Sequence, residues 1–373
     1  MRKEDVYARI PKCFDKKNDT LEICLPLFDT CNSNCEFCYE IHGRVRLTED
    51  SFSNAYEDIK KYIVPIVAER DYKKIKIKIY GGELFFDAQP EWIYPAYTKL
   101  VNSVRKLFKN QKIETKFITN GMFTKWDRAD KLVDDTNSYI GMSYDVVGRY
   151  RNEERFMLFK DTFYHFYNKG VLMELSCILA KPCIDRYIKG NTFLDEVPQN
   201  VHVDANFYIP TRSWEKYISN SDDYFNFFYW GIKNQKFNID YIELLINAII
   251  PEERKHIEKI CSCRDTLTYI PEKRIFSKEC IETRAFGKQY YHNFFDNVSE
   301  DNCFAYKTNM MLEKCGCMYC EHYLYCPMQC AASILFDGYK QTICPMKKIF
   351  SCIDEKDIKN YREWRKKYRD KNA

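Results

Sequence analysis

The sequence lacks the features that mark secreted, membrane-bound and nucleic-acid-binding proteins. No apolar segment follows Met1 to serve as a signal peptide. The longest apolar stretches, near residues 171–180 and 241–251, are interrupted and too short to span a bilayer. The net charge of +4, from 58 Lys and Arg against 54 Asp and Glu, is too small for the footprint of a nucleic-acid binder. These absences predict a cytoplasmic protein that binds neither membranes nor nucleic acids.

Cysteine is the residue present in excess, at 18 of 373 positions. In a reducing cytoplasm, clustered cysteines indicate metal ligands before they indicate disulfides. The length suits two domains, or one large barrel with an appendage.

Three of the cysteines fall within eight residues, in the cysteine loop Cys31-Asn-Ser-Asn-Cys35-Glu-Phe-Cys38. Thiolates hold iron–sulfur clusters, and a [4Fe–4S] cube normally takes four of them. A loop with three would leave one iron open to bind a substrate or cofactor. The alternatives are a zinc site or ordinary buried thiols. Zinc sites usually bring Cys-x2-Cys pairs or histidines, and neither completes this loop, so the spacing favours a cluster.

Strand and helix patterns alternate from residue 20 to residue 209. In residues 73–80 isoleucine alternates with lysine, which is strand periodicity. Residues 48–70 have helical spacing, with a kink expected at Pro65. Strands are predicted at residues 20–28, 73–80, 115–119, 139–144, 171–179 and 202–209.

This βα alternation predicts an α/β fold with a parallel sheet. Six units are too few for a closed eight-stranded barrel, so we expect an open, partial (β/α)6 barrel. Lys74, Lys76 and Lys78 are unusual in a buried parallel strand. We expect their stems to pack and their charged heads to lie in water.

The cysteine loop resembles that of the radical S-adenosylmethionine (SAM) superfamily, whose motif is Cys-x3-Cys-x-aromatic-Cys with Phe37 as the aromatic residue. The resemblance implies that Cys31, Cys35 and Cys38 ligate a [4Fe–4S] cluster whose fourth iron is chelated by SAM. It also implies that Phe37 contacts the cofactor. It implies one-electron cleavage of SAM to a 5′-deoxyadenosyl radical. It also implies a partial (β/α)6 barrel, in agreement with the strand pattern.

Further segments resemble SAM-binding motifs of the same family. Gly81, Gly82 and Glu83 follow the second strand, where the family's Gly-Gly-Glu binds the amino group of SAM. Ser143 resembles the serine after strand four that often meets the ribose. Arg155 stands where the family has an arginine and would hold the SAM carboxylate, with a surface helix arginine as the alternative.

The loop after strand four departs from the family pattern. The family continues with Asp-Gly, then His-Asp, then Arg, whereas here Val146 replaces the glycine and Arg151-Asn152 replaces His-Asp. Asn120-Gly121, after strand three, is interpreted mainly as a turn.

The cysteines cluster again from residue 261, with the spacing Cys317-x2-Cys320-x5-Cys326-x3-Cys330. This resembles the SPASM extension, which carries auxiliary [4Fe–4S] clusters in peptide- and protein-modifying radical SAM enzymes. By that resemblance the first auxiliary cluster takes Cys261 or Cys263, with Cys280 and Cys330. The second takes Cys317, Cys320, Cys326 and Cys344. The alternative for this region is a zinc-bound ribbon.

These patterns divide the chain into five predicted segments. They are an N-terminal extension (1–19), the radical SAM barrel (20–215), a helical connector (216–260), the SPASM domain (261–352) and a charged C-terminal tail (353–373). The aromatic residues at 225–230 of the connector are expected to be core.

The resemblance implies a radical SAM/SPASM maturase that abstracts hydrogen from a peptide or protein, and we expect it to install a thioether or carbon–carbon crosslink in a ribosomal peptide. The alternatives within the family are an anaerobic sulfatase maturase, which makes formylglycine from Cys or Ser, and a small-molecule SPASM dehydrogenase. A non-catalytic metal-binding or electron-transfer protein is the alternative from another class. The expected partners are a flavodoxin or ferredoxin as electron donor and a separate leader-peptide-binding protein, unless the barrel and SPASM surfaces recognise the leader themselves.

Overall fold

The computed structural model of the chain describes residues 19–33, 35–38, 45–150, 152–208, 215–254, 266–277, 320–322, 325–327 and 344–369. Among these residues, no helix combines the length and apolar character that crossing a bilayer requires.

The described strands form one sheet of eight, in the order β6-β5-β4-β3-β2-β1-β7-β8. They are β1 (Thr20–Pro26), β2 (Lys74–Tyr80), β3 (Lys112–Thr119), β4 (Tyr139–Tyr144), β5 (Leu172–Leu179), β6 (His202–Phe207), β7 (Thr266–Ile270) and β8 (Ile275–Ser277). Pairing is parallel from β6 to β7, and only the β7–β8 hairpin is antiparallel. The six predicted strands are confirmed, and two more come from the cysteine-rich half of the chain.

Helices connect the strands of the barrel, and further helices come after its sixth strand in the sequence. They are α1 (Glu49–Asp58), α2 (Val64–Arg70), α3 (Ile93–Leu107), α4 (Trp126–Thr136), α5 (Glu153–Lys169), α6 (Lys181–Lys189), α7 (Ser221–Lys233), α8 (Asp240–Ile249), α9 (Pro345–Cys352) and α10 (Glu355–Arg369). A π-helical turn (Ile59–Ile63) and 3-10 turns at Phe193–Asp195, Glu215–Tyr217 and Pro251–Glu253 complete the described elements.

Strand order follows chain order from β1 to β6 without a reversal. Right-handed crossovers therefore all return on the same side of the sheet, and their helices cover one face only. This is the arrangement of an open barrel, and it confirms the predicted α/β fold. The C-terminal ends of the six parallel strands meet at one edge, where the predicted site residues follow.

Strand β2 shows how the two faces differ. Its helix-facing side is buried in the core and consists of Ile75, Ile77 and Ile79. On the opposite face Lys74 Nζ lies 2.7 Å from Glu114 Oε1, and Lys78 Nζ lies 2.9 Å from Glu22 Oε2. Lys76 is exposed, and the Lys74 and Lys78 side chains stay partly exposed while their heads pair with carboxylates of the neighbouring strands, a pairing that the sequence pattern did not predict.

The helix predicted over residues 48–70 is interrupted near its middle. The Val64 N–H donates to Ile59 O, five residues back, which closes the π-helical turn between α1 and α2. Pro65 follows at once and has no N–H to donate, so the helix is widened where its hydrogen-bond pattern fails.

The segment expected to be a charged tail contains helix α10, which packs on the connector. Ile358 and Tyr361 are buried, and Tyr361 OH donates to Phe237 O at 2.8 Å. Arg362 Nη2 lies 2.5 Å from Glu253 Oε2. In the connector, the aromatic residues of α7 that are buried, as expected, are Phe225, Phe227 and Phe228.

Candidate functional site

A cavity of about 330 Å³ opens at the C-terminal edge of the sheet. It is bounded by the loop after β1 and by the segment between β4 and the first turn of α5. Its lining residues are Cys31, Asn32, Ser33, Cys35, Gly148, Arg149 and Arg155. The cavity thus brings together two thiols and two guanidinium groups that are far apart in the sequence.

The cysteine loop folds back on itself beside this cavity. The Cys38 N–H donates to Cys35 O at 3.1 Å, and the Ser33 N–H donates to Cys31 Sγ at 3.4 Å. Cys35 is buried, and Cys31 and Cys38 are half-buried. Burial raises the pKa of the Cys31 thiol to about 11, so ionising it requires a positively charged group nearby.

The thiols of the loop are not arranged around a single point. Within the described part of the chain, no three Cys, His, Asp or Glu side chains form a group that would hold one metal ion. A tetrahedral zinc site needs its ligands around one ion, whereas a [4Fe–4S] cube binds each thiolate through a different iron. On donor chemistry alone, three thiols without a histidine suit an iron–sulfur cluster better than a zinc site, and their role as cluster ligands stays a prediction.

Asn120 holds the cysteine loop in place from the end of β3. Its Nδ2 donates to Asn32 Oδ1 at 2.8 Å and lies 3.8 Å from Cys31 Sγ. Its Oδ1 accepts from the Met122 N–H at 2.9 Å, and Met122 O accepts from Asn32 Nδ2 at 2.6 Å. The sequence pattern suggested only a turn here, but this asparagine also positions a proposed cluster ligand.

Gly81 and Gly82 let the chain after β2 pack directly against the chain after β1. Gly81 has φ of 141°, and a Cβ on Gly82 would lie 1.8 Å from Thr30 O. The Gly82 N–H donates to Phe28 O at 3.0 Å, and the Glu83 N–H donates to Thr30 O at 2.8 Å. No side chain fits at either glycine without moving the chain that leads into the cysteine loop.

Glu83 lies next to these glycines and is 1% exposed. Its Oε1 accepts from Thr119 Oγ1 at 2.7 Å and from the Phe85 N–H at 3.1 Å. Its Oε2 accepts from the Asn120 N–H at 2.6 Å. Burial raises the pKa of Glu83 above its ordinary value, and the three hydrogen bonds oppose that rise. Glu83 is not among the residues that line the cavity, and its contact with SAM stays a prediction.

Asp145 organises the loop after β4, where the chain departs from the family pattern. Its Oδ1 accepts from the N–H groups of Val147, Gly148 and Arg149 at 3.1, 2.6 and 3.0 Å. One carboxylate oxygen therefore closes the turn in which Val146 stands at the position where a glycine was expected. Ser143 contributes its backbone carbonyl to the same loop, and its predicted ribose contact stays a prediction.

Two arginines from this region reach the cavity. Arg155 Nη2 donates to Asn32 O at 3.1 Å, so the arginine predicted to hold the SAM carboxylate lines the cavity. The Arg155 N–H donates to the Asn152 side chain, which caps α5 and so places Arg155 in the first turn of the helix. Arg149 was not predicted, because no motif marks it. Its position becomes visible only when the β4 loop is folded over the cysteine loop.

Phe37 is covered by two neighbours and does not line the cavity. A Cβ on Gly148 would lie 2.3 Å from the Phe37 ring, so only glycine allows this contact. The Tyr217 ring meets Phe37 edge-on with centroids 5.9 Å apart, and Tyr217 OH donates to Glu36 Oε2 at 2.8 Å. The predicted contact of Phe37 with the cofactor stays a prediction.

Three of the four cysteines predicted for the second auxiliary cluster lie within the described residues. Burial raises the pKa of the Cys344 thiol, and the nearby Cys320 raises it further. Cys326 and Cys344 both lie near the buried Tyr241 hydroxyl, which donates to Pro327 O. The other predicted ligands lie outside the described residues, namely Cys261, Cys263, Cys280, Cys317 and Cys330.

Solved structures match most of the chain, although no protein-family model and no curated protein matches it. A structure of anSMEcpe with bound AdoMet and the Cp18Cys peptide is 16% identical, with a TM-score of 0.56. The match covers 92% of this chain and 96% of that chain. A second anSMEcpe structure, with bound AdoMet and the Kp18Cys peptide, is 15% identical with a TM-score of 0.56, covering 92% and 97%. At such identity the match establishes a common fold, and the chemistry is argued from the site.

Proposed function

We propose that this chain, which has the fold of the radical SAM SPASM maturase anSMEcpe, is itself a radical SAM enzyme that acts on a peptide or protein. Cys31, Cys35 and Cys38 would hold a [4Fe–4S] cluster, and SAM would occupy the adjacent cavity. When bound, the cluster supplies the electron that cleaves SAM to a 5′-deoxyadenosyl radical, which abstracts hydrogen from the substrate. The observation that carries the proposal is a cavity with cysteine thiols and guanidinium groups among its lining residues.

Arg155 at the cavity and Glu83 beside the Gly81-Gly82 pair would match the two charges of the SAM amino acid. Its carboxylate requires cationic donors, and Arg155 offers a guanidinium at the cavity wall. Its ammonium requires an acceptor, and Glu83 is the buried carboxylate nearest in sequence to the glycines that approach the cysteine loop. The Glu83 carboxylate oxygens already accept three hydrogen bonds, so the SAM ammonium would share an acceptor with these donors.

A peptide substrate is the class that the solved relatives support, because two anSMEcpe structures hold AdoMet together with a peptide. We extend this to a thioether or carbon–carbon crosslink in a ribosomal peptide. Conversion of Cys or Ser to formylglycine and oxidation of a small molecule are the competing reactions.

The proposal extends to the cysteine-rich second half of the chain and to its partners. One or two auxiliary [4Fe–4S] clusters would accept the electron released from the substrate radical or bind a substrate thiol. A flavodoxin or ferredoxin would deliver the first electron, in keeping with the expected cytoplasmic location. Either a separate protein or the barrel and SPASM surfaces themselves would recognise the leader peptide.

The first test is SAM cleavage by anaerobically reconstituted protein with dithionite. We expect 5′-deoxyadenosine from the wild type and none from the variant with Cys31, Cys35 and Cys38 all changed to Ala. The matched control is Cys177→Ala, because Cys177 is a fully buried free thiol away from the cavity and should leave cleavage unchanged. Persistent 5′-deoxyadenosine in the triple variant would refute the proposed site.

The second test identifies the substrate. The enzyme is co-expressed with the short peptides and the sulfatases encoded near its gene, and the products are weighed and fragmented by mass spectrometry. A crosslink removes two hydrogens, about 2 Da, and ties two residues together in the fragment spectrum. A formylglycine made from Ser loses the same mass but reacts with a hydrazide reagent. A peptide of unchanged mass, beside turnover of a sugar or alcohol, would favour the dehydrogenase.

A further inference from the structure

The cysteine loop is held from across the mouth of the open barrel. Strands β1 and β6 are separated by four other strands in the sheet, yet the segments that follow them meet at its C-terminal edge. Tyr217 OH donates to Glu36 Oε2 at 2.8 Å, and Lys216 Nζ lies 2.5 Å from the same oxygen. Glu36 lies between Cys35 and Cys38, so this contact reaches the segment that carries two proposed cluster ligands.

The Tyr217 ring takes part in the same contact. It is 5% exposed, and it meets the Phe37 ring edge-on with the centroids 5.9 Å apart. Phe37 is also pressed against Gly148, where a Cβ would lie 2.3 Å from the Phe37 ring. Phe37 directly precedes Cys38. The residue before the third cysteine is therefore held by the loop after β4 and by the 3-10 turn after β6.

The tyrosine hydroxyl and the lysine ammonium differ in how far water weakens their bonds to Glu36. The Lys216 side chain is 56% exposed and that of Glu36 is 39% exposed, so water screens their ion pair. The Tyr217 hydroxyl belongs to a buried ring and donates to a charged acceptor, and such hydrogen bonds are stronger than neutral ones. We therefore expect the hydroxyl of Tyr217, more than the charge of Lys216, to restrain the cysteine loop.

We infer that Tyr217 is a positioning residue, which fixes the segment from Cys35 to Cys38 through its hydrogen bond to Glu36 and its contact with Phe37. The inference rests on the proposed function where it concerns the cluster, because that segment carries two of the proposed ligands. Groups that orient metal ligands from outside the coordination shell strengthen metal binding. The hydrogen bond from Tyr217 should therefore slow the loss of the cluster.

Hydrogen exchange of the cluster-free, full-length protein tests the positioning itself. The Cys38 N–H donates to Cys35 O within the loop, and its exchange reports how often the loop opens. Tyr217→Phe should speed exchange in the peptide that contains Cys35 and Cys38 by about tenfold, because a hydrogen bond to a charged acceptor is lost. Equal exchange in Tyr217→Phe and the wild type would overturn the inference.

Tyr208→Phe is the matched control for this experiment. The Tyr208 ring is buried and contacts the Tyr217 ring with the centroids 6.0 Å apart. Its hydroxyl is buried and has no hydrogen-bond partner within the described part of the chain. Removing that hydroxyl should leave exchange of the cysteine loop unchanged. An acceleration equal to that of Tyr217→Phe would mean that any change in this aromatic pair loosens the loop, and would overturn the role of the Tyr217 hydroxyl.

Iron release from reconstituted protein tests the consequence for the cluster. An iron(II) chelator is added to the full-length, dithionite-reduced protein without SAM. The relevant phase is the one that is missing when Cys31, Cys35 and Cys38 are changed to Ala. Tyr217→Phe should speed this phase by about tenfold, while auxiliary iron leaves at the wild-type rate. Equal acceleration of both phases would indicate a general loss of stability and would overturn the positioning role.

Two variants of the partner residues separate the hydroxyl from the charge. Lys216→Met removes the exposed ion pair and should speed iron release by less than about threefold. Glu36→Gln keeps an oxygen that accepts from Tyr217 OH, so its release rate should lie between those of the wild type and Tyr217→Phe. Faster release from Lys216→Met than from Tyr217→Phe would overturn the assignment to the hydroxyl. A wild type that binds no iron at the cysteine loop would overturn the proposed function, and hydrogen exchange would still decide the positioning role.

Discussion

Glu83 joins three separate segments through one carboxylate. It accepts from the start of the next loop at Phe85 and from the end of β3 at Thr119 and Asn120, and its own N–H donates to Thr30. Asn120 in turn donates a hydrogen bond to Asn32, so Glu83 also stabilises the cysteine loop indirectly, through Asn120. Glu83 therefore supports the folded loops, and its proposed contact with SAM is a separate effect that experiment can distinguish.

Glu83→Gln should weaken SAM binding by about 1.5–3 kcal/mol, because a charge-assisted bond to the ammonium becomes a neutral one. Titration calorimetry of SAM into reconstituted protein measures the change. The chemical unfolding midpoint of the same variant serves as the control for folding. An unchanged affinity for SAM would show that Glu83 serves only the loops.

The raised pKa of Glu83 also predicts how stability depends on pH. Between the ordinary carboxyl value of 4.5 and the raised folded value, the folded state keeps a proton that the unfolded state has released. The free energy of unfolding should therefore fall as pH rises through this window. Glu83→Gln should flatten that slope, measured by urea unfolding of SAM-free protein at several pH values. A variant with the wild-type slope would mean that another group is responsible.

Gly82→Ala should destabilise the protein by about 1–3 kcal/mol or more, because the new Cβ would overlap Thr30 O. Gly170→Ala is the matched control, since Gly170 ends α5 at φ of 76° with open space around it. It should cost only the strain of a left-handed backbone, about 1 kcal/mol. Thermal unfolding of both variants checks the prediction, and equal losses would contradict a steric role for Gly82.

Strands β3 and β5 are tied together across β4 on the open face of the sheet. Lys116 forms an ion pair with Glu174, and both side chains are mostly buried. The intervening strand offers Gly141, where a Cβ would lie 3.3 Å from Lys116 Cδ and 3.4 Å from Glu174 Oε1. The closest atom is Ile118 Cδ1, 2.8 Å from that Cβ, so the glycine makes room for the Ile118 side chain as well as for Lys116.

Lys116→Met should cost about 3 kcal/mol, because it leaves the Glu174 carboxylate buried without its partner. The double variant Lys116→Met with Glu174→Met should recover most of that loss. The control is the exposed ion pair between Lys131 and Asp135 on α4. Changing Lys131 to Met there should lower the free energy of unfolding by less than about 0.5 kcal/mol. Additive losses in the double variant would contradict the coupling.

The strands and the cysteine loop could be predicted from local sequence patterns, whereas the ion pairs and the position of Arg149 depend on contacts between strands and loops. A segment of a few residues is enough to recognise the isoleucine–lysine alternation of β2. The same holds for the spacing of Cys31, Cys35 and Cys38. The Lys78–Glu22 pair depends on the parallel register of β1 and β2, which no single segment reveals. Arg149 and Cys35 line one cavity because the β4 loop folds over the β1 loop, so no local motif could predict the position of Arg149.

The whole molecule joins its cysteine-rich half to the barrel through the sheet itself. Strand β7 pairs in parallel with β1, so the predicted SPASM segment begins as part of the barrel sheet. Helix α9, which starts directly after Cys344, also packs on α7 of the connector. Cys344 is therefore fixed to the same body that carries the cysteine loop.

Anaerobically reconstituted protein should contain about twelve iron atoms, from three four-iron clusters. Changing Cys320 and Cys326 to Ala together should lower this by about four, because the second auxiliary cluster loses two ligands. Cys352→Ala is the control, since Cys352 is exposed and free and should leave the iron content unchanged. Stoichiometric zinc without sulfide in the wild type would favour the zinc-bound ribbon.

The place of β1 between β2 and β7 has a consequence for how the protein folds. Glu22 faces Lys76 on one side and Thr266 on the other, so one neighbour is close along the chain and the other is remote. Contacts between remote segments form slowly, because a long loop must close before they add stability. We expect the backbone hydrogen bonds between β1 and β2 to form early in folding and those between β1 and β7 to form late. Pulse-labelled hydrogen exchange would then show two protection times within this strand, and the strand that leads into the cysteine loop would be among the last to become fully rigid.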